Sequence, residues 1–113
     1  MDTLKKNIIT SYGAIPFVEG MERNELILFT AAGRIHGTMP KDDTDSYIVR
    51  VIRELAQDYR DERKIPDDVL LDGNDGFLIL ENVTLYKDGA TINFPSLTVF
   101  FDQIIAVTIG NIH

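Results

Sequence analysis

The run GFLILENVTLYKDGATINFPSLTVFFDQIIAVTIGNI, Gly76 to Ile112, constrains the fold more than any other part of this chain. It is apolar or β-branched almost throughout, and such side chains suit a pleated surface better than a helix. Phe77 to Tyr86 is long for one strand, and polar Glu81-Asn82 marks a place for it to bend. Asp88-Gly89 supplies the pair that a two-residue hairpin turn favours. Thr91 to Phe94 follows as a short strand. Pro95 breaks it, Leu97 to Phe101 resumes, and Asp102-Gln103 leads into a last strand, Ile104 to Ile109.

Two further strands lie upstream. Leu26 to Phe29 are four consecutive large apolar residues without helix caps, which predicts a buried strand from Glu25 to Thr30. Ala31-Ala32-Gly33 is a turn. Arg34 to Met39 then alternates, with Ile35, Gly37 and Met39 on one side and Arg34, His36 and Thr38 on the other. That is a half-buried strand returning along the first.

Between these β segments the period changes. Tyr47, Ile48, Val51, Ile52, Leu55 and Tyr59 recur at helical spacing, after a polar stretch, Lys41 to Asp45, that offers several N-caps. Pro66 stops the helix, and Asp67 to Asp75 reads as a loop with an Asn74-Asp75-Gly76 turn signal. The apolar face is expected to pack on the sheet or on a neighbouring subunit. At the N-terminus, Leu4, Ile8, Ile9 and Tyr12 suit one face of a short helix, started by Asp2 or Thr3 and ended by Gly13. The run Ile8-Ile9-Thr10 also suits an edge strand, and the helix is preferred. Ala14 to Asn24, with Pro16 and Gly20, is an irregular connection.

A chain of 113 residues makes one compact domain, residues 1–113, with residues 41–75 as a helical insertion. Eleven Lys and Arg against 18 Asp and Glu give a formal charge of −7. An acidic surface repels phosphate, which argues against indiscriminate nucleic-acid binding. There is no cysteine, so disulfides and thiolate metal sites are excluded. The first residues lack the apolar run and cleavage site of a secretory leader, and no segment has the length of a membrane span, so a cytoplasmic protein without a membrane partner is expected.

Strand order and glycines together resemble the Sm-like family of small barrels. Leu28, Gly33, Arg34, Gly37 and Met39 fit the start of the family's first motif, with the glycine spacing one residue short, and Asp43 falls where its Asp lies. Leu78 to Val83 is similar to its third strand. Val99, Ile104 and Val107 keep the hydrophobic frame of the second motif, while Phe100 and Phe101 stand in the places of its Arg and Gly, and Phe77 in that of its base-contacting Asn. The resemblance implies a mostly β fold with helix: a five-stranded, strongly bent antiparallel Sm-like (SH3-like) barrel with a helical insertion between strands 2 and 3. It also implies a homo-oligomeric ring in which the fourth strand of one subunit pairs with the fifth of the next, placing Leu97, Val99, Phe101, Ile105 and Val107 at the interface. RNA is the family's ligand. Phe can stack on a base but cannot replace Arg as a planar donor, so only weak RNA binding is expected.

A basic stripe on the helix is the other nucleic-acid candidate. Arg50, Arg53, Gln57, Arg60 and Lys64 share one side, and Arg50, Arg53, Arg60 and Lys64 with Asp43 are the candidate RNA-contacting residues. Glu54, Asp58 and Asp61 flank them, and a solvated charged face is the preferred reading. Catalysis finds little support: His36 is a lone histidine on a polar strand face, His113 is the last residue, and Ser11, Ser46 and Ser96 have no nucleophile-elbow setting. Asp42, Asp43 and Asp45 lack the closing Glu of a calcium loop and suit helix capping better. No cofactor or metal is expected. The reading is a non-enzymatic ring-forming module that engages RNA or a ribonucleoprotein, with a purely protein-binding or structural homo-oligomer as its rival.

Overall fold

A computed structural model describes residues 3–69 and 76–111. Asp2, Asn74, Asp75, Ile112 and His113, singled out above, lie outside the described residues. The elements run α1 (Leu4–Ala14), a 3-10 turn (Ile15–Phe17), β1 (Asn24–Thr30), β2 (Gly33–Thr38), α2 (Tyr47–Glu62), β3 (Phe77–Lys87), β4 (Ala90–Phe100), a second 3-10 turn (Phe101–Gln103) and β5 (Ile104–Asn111). The N-terminal segment is a helix, started by the Thr3 hydroxyl, which accepts the Lys6 amide at 3.2 Å.

The five strands form one antiparallel sheet in the order β4-β3-β2-β1-β5. β4 and β5 follow one another in the chain yet lie on opposite edges. In a flat sheet, four strand spacings would separate those edges by roughly 19 Å. The 3-10 turn Phe101–Gln103 rises only about 2 Å per residue. The sheet must therefore curve strongly at that end, with Phe101 and Ile104 drawn into the core. It stops short of the expected closed barrel: among the described residues no ladder joins β4 to β5.

The core follows the two-residue period. Leu26 and Leu28 of β1, Ile35 of β2, Leu78 and Leu80 of β3 and Val99 of β4 point inward, and Ile9 of α1 closes over them. The period slips on β3, where the inward residues pass from Leu80 to Val83. Asn82 between them has a positive φ of 53°, and the β2–β3 register shifts there, from His36 opposite Thr84 to Thr38 opposite Glu81. This is a bulge at the expected bend. Gly37 passes over it so closely that a Cβ would meet the Glu81 carbonyl oxygen, Leu80 Cβ and Val83 Cγ2, each at 3.2 Å.

The same bend accounts for one departure from expectation. β4 is a single strand running through Pro95, not two segments broken by it. Glu81 pairs with Ser96 and Val83 with Phe94, so Pro95 faces the bulged Asn82. A residue without an N–H is tolerated on an edge strand beside a bulge. The strand ends one residue earlier than expected, and Phe101 belongs to the 3-10 turn.

Candidate assembly edges and the insertion surface

The open sheet leaves the outer sides of β4 and β5 as its two edges. Of the five residues expected at a subunit contact, Val99 and Phe101 are buried in the chain's own core, and Leu97 and Val107 pack against that core. Only Ile105 faces outward, at 74 % exposure. The edges can therefore offer backbone N–H and C=O groups, with Ile105 on β5 and Ile92 on β4 as exposed apolar side chains beside them. Phe100 is exposed as well and stands edge-on to Phe77 across the β3–β4 pair, with ring centroids 6.1 Å apart.

The insertion carries the basic stripe. Ser46 caps α2, its Oγ accepting the Val49 amide at 3.3 Å, so the cap is a hydroxyl and not one of the aspartates expected there. Lys64, in a left-handed conformation with φ of 55°, ends the helix ahead of Pro66. Arg53 donates to the carbonyl oxygens of Asp42 and Lys41 at 3.3 and 3.2 Å. Arg60 donates to those of Pro66 and Val69 at 3.0 and 2.7 Å. Two of the candidate phosphate ligands thus tie the segments flanking α2 to its side. Arg50 and Lys64 are exposed. Asp43 is exposed too, and lines a cleft of about 690 Å³ between the end of α1 and the start of the insertion, with Pro16, Phe17, Met39, Thr44 and Glu81 among its walls.

These ties decide between the two expected places for the apolar face of α2 as far as one chain can: it does not pack on its own sheet. The apolar face of α2 is not buried within the chain: Tyr47 is 72 % exposed, Ile48 51 %, Leu55 61 % and Tyr59 46 %. Val51 and Ile52 are half-buried, and the fully buried residue is Val49, on the side where Arg53 and Arg60 grip the flanking segments. The helix packs against its own connections, and its aliphatic and aromatic stripe stays open. The Arg63 guanidinium stacks 4.0 Å from the centroid of the Tyr59 ring at the end of that stripe.

His36 is not a lone surface histidine. Its Nδ1 lies 2.9 Å from Glu25 Oε1, both side chains are mostly buried, and the ring packs on Tyr86 with centroids 4.8 Å apart. The Arg34 guanidinium covers the same tyrosine at 4.5 Å. His36 Nε2 is buried without a protein partner. The signal for this cluster was faint in the sequence, because its members sit on three strands and meet only through their register: His36 pairs with Ile27 on one side and Thr84 on the other. Among the described residues no group of three or more His, Asp or Glu side chains is placed to hold a metal ion. No helix of the described residues is long and apolar enough to cross a membrane.

No known family model matches the chain, and no curated protein or solved structure matches it significantly.

Proposed function

We propose that this protein is a non-enzymatic, ring-forming module of Sm-like type, assembled from copies of one chain through its sheet edges. The observation that carries the reading is the strand order. The two strands that the family resemblance assigns to subunit contact, β4 and β5, are the two edge strands, each paired on one side alone. An open edge of apolar strand is an aggregation hazard unless another strand covers it. The half of β4 after Pro95 and the whole of β5 carry no Lys to blunt them. A head-to-tail contact of one edge with the other is heterologous, and a ring closes it.

Ile105→Lys tests this edge directly. The side chain is exposed, so the substitution should leave the fold intact while placing a charge beside the edge. Sedimentation velocity should then show a weakened oligomer, with the far-UV circular dichroism unchanged. An oligomer as stable as the parent's would overturn edge pairing.

RNA is the weaker half of the reading. Arg53 and Arg60 are engaged by backbone carbonyls, Phe101 is buried, and the chain carries a formal charge of −7. These observations favour the protein-binding or structural oligomer over an RNA-binding ring. Titration against a pool of single-stranded RNA at two salt concentrations separates the two, since phosphate contacts weaken steeply with salt. The structural reading expects no binding at physiological salt. Salt-sensitive binding that Arg50→Glu with Arg53→Glu abolishes would restore the RNA reading.

A further inference from the structure

The insertion is held together as a unit of its own. Val49 of α2 is fully buried, yet it stands outside the core that the strands and α1 share. α2 packs extensively on no strand and not on α1. Arg53 and Arg60 bind carbonyl oxygens of the segments before and after the helix. Gln57 does the same through side chains, its amide donating to the Asp61 and Asp67 carboxylates at 3.0 and 2.8 Å. All of these contacts stay within residues 41–69.

Among the described residues, one polar side-chain contact crosses from this unit to the sheet. The Thr44 hydroxyl donates to Glu81 Oε1 at 2.5 Å, beside the bulged Asn82 of β3. A bond to an ionised acceptor is stronger than a neutral one. The same hydroxyl oxygen accepts the Ser46 amide at 3.2 Å, and Ser46 caps α2, so the contact is coupled to the start of the helix. The charges around it work the other way. Asp43, Asp45 and Lys41 line the cleft from the insertion, and Glu22 and Glu81 line it from the body. None of the five is in an ion pair among the described residues. Both walls carry net negative charge, and such charges repel over roughly 8–10 Å at moderate salt.

We propose that the insertion is a latched arm: residues 41–69 move as one body about their junction with β2, and the Thr44–Glu81 hydrogen bond is the catch that sets the arm's position. A body with its own internal ties, joined to the rest by few contacts, is the arrangement from which hinge motions are drawn. Losing the catch leaves the like charges to widen the cleft. The exposed side chains Tyr47, Leu55 and Tyr59 travel with the arm. The device lies within one chain and does not require the ring, and no residue of β4 or β5 lines the cleft.

The absence of cysteine permits paired spin labels on the full chain. Val18→Cys with Asp58→Cys reads the body against the arm, and Asp42→Cys with Glu62→Cys reads the arm's interior; all four positions are exposed. Labelled chain is diluted into unlabelled chain, so that distances between copies drop out and the result is the same with or without a ring. Pulsed electron-electron resonance should give one narrow distribution for each pair. Thr44→Val keeps the side chain's shape and removes the donor; it should lengthen and broaden the first distribution and leave the second unchanged, and added salt should shorten the first again. Glu81→Leu should repeat this effect. Glu81→Gln, whose amide oxygen still accepts the hydroxyl, should keep the narrow distribution. A first distribution that is broad without any substitution, or that stays narrow in both Thr44→Val and Glu81→Leu, overturns the catch. A second distribution that broadens with the first overturns the arm as one body.

Discussion

Two leucines that sequence periodicity treats alike should behave differently. Leu55 and Leu80 both fall on apolar faces, yet Leu80 is fully buried on β3 and Leu55 is 61 % exposed on α2. Burying a leucine completely is worth about 1.5–3 kcal/mol in transfer free energy alone. Truncating one in a close-packed core adds the cavity left behind, so Leu80→Ala should cost about 2–5 kcal/mol. A chain of 113 residues has a total stability on the order of 6–17 kcal/mol at typical per-residue values, so that loss is a large part of it. Leu55 keeps only about four-tenths of its surface from water within the chain, which limits the cost of Leu55→Ala to roughly 1 kcal/mol. The assay is urea unfolding at a low and a high protein concentration. Leu80→Ala should lower the midpoint strongly at both. Leu55→Ala should matter little at either, because most of its side chain is already open to solvent within the chain. If Leu55→Ala costs as much as Leu80→Ala at the lowest concentration, α2 is docked on its own sheet and the argument from its exposure fails.

Two other predictions concern polar contacts. Glu25→Ala strands the second nitrogen of His36, whose Nε2 already lacks a partner, and should cost about 1–3 kcal/mol in thermal or urea unfolding; an unchanged midpoint would mean that water replaces the carboxylate freely. Glu22 has its pKa lowered from the ordinary 4.5 by hydrogen bonds from its own backbone amide and from that of Gly20, 3.1 Å from Oε1. Its charged form is the one favoured by folding, so its contribution is present above the ordinary value and is lost as pH falls through the lowered one. An NMR titration should place Glu22 below a glutamate without such bonds, and Glu22→Gln should remove that small acid-side dependence.

Much of the β structure was legible because local chemistry specifies it. Asp88 and Gly89 take positive φ values of 52° and 78°, as a two-residue hairpin requires, and the polar Glu81-Asn82 step is the bulge. Ala31-Ala32 joins β1 to β2 as the turn expected there. Pro95 misled because its cost depends on position in the sheet: a strand can carry proline at an edge beside a bulge, and edges are a property of the whole fold. The face of α2 left its cover undecided in the sequence for a related reason. Amphipathicity says that a stripe needs cover and is silent on what covers it. Here the local hydrogen bonds of Arg53 and Arg60 to the flanking carbonyls turn the stripe away. Lys6 shows the converse, a charged residue buried on α1, its ammonium near the Phe101 ring in a pairing no local pattern announces.

The central claim is that the open edges of β4 and β5 meet between copies. Native mass spectrometry of the full chain at micromolar concentration, with sedimentation velocity on the same sample, addresses it most directly. The account predicts one closed homo-oligomer of defined size that persists on dilution and grows no longer with concentration. A clean monomer across that range, or an open-ended ladder of species without a terminal size, would contradict it.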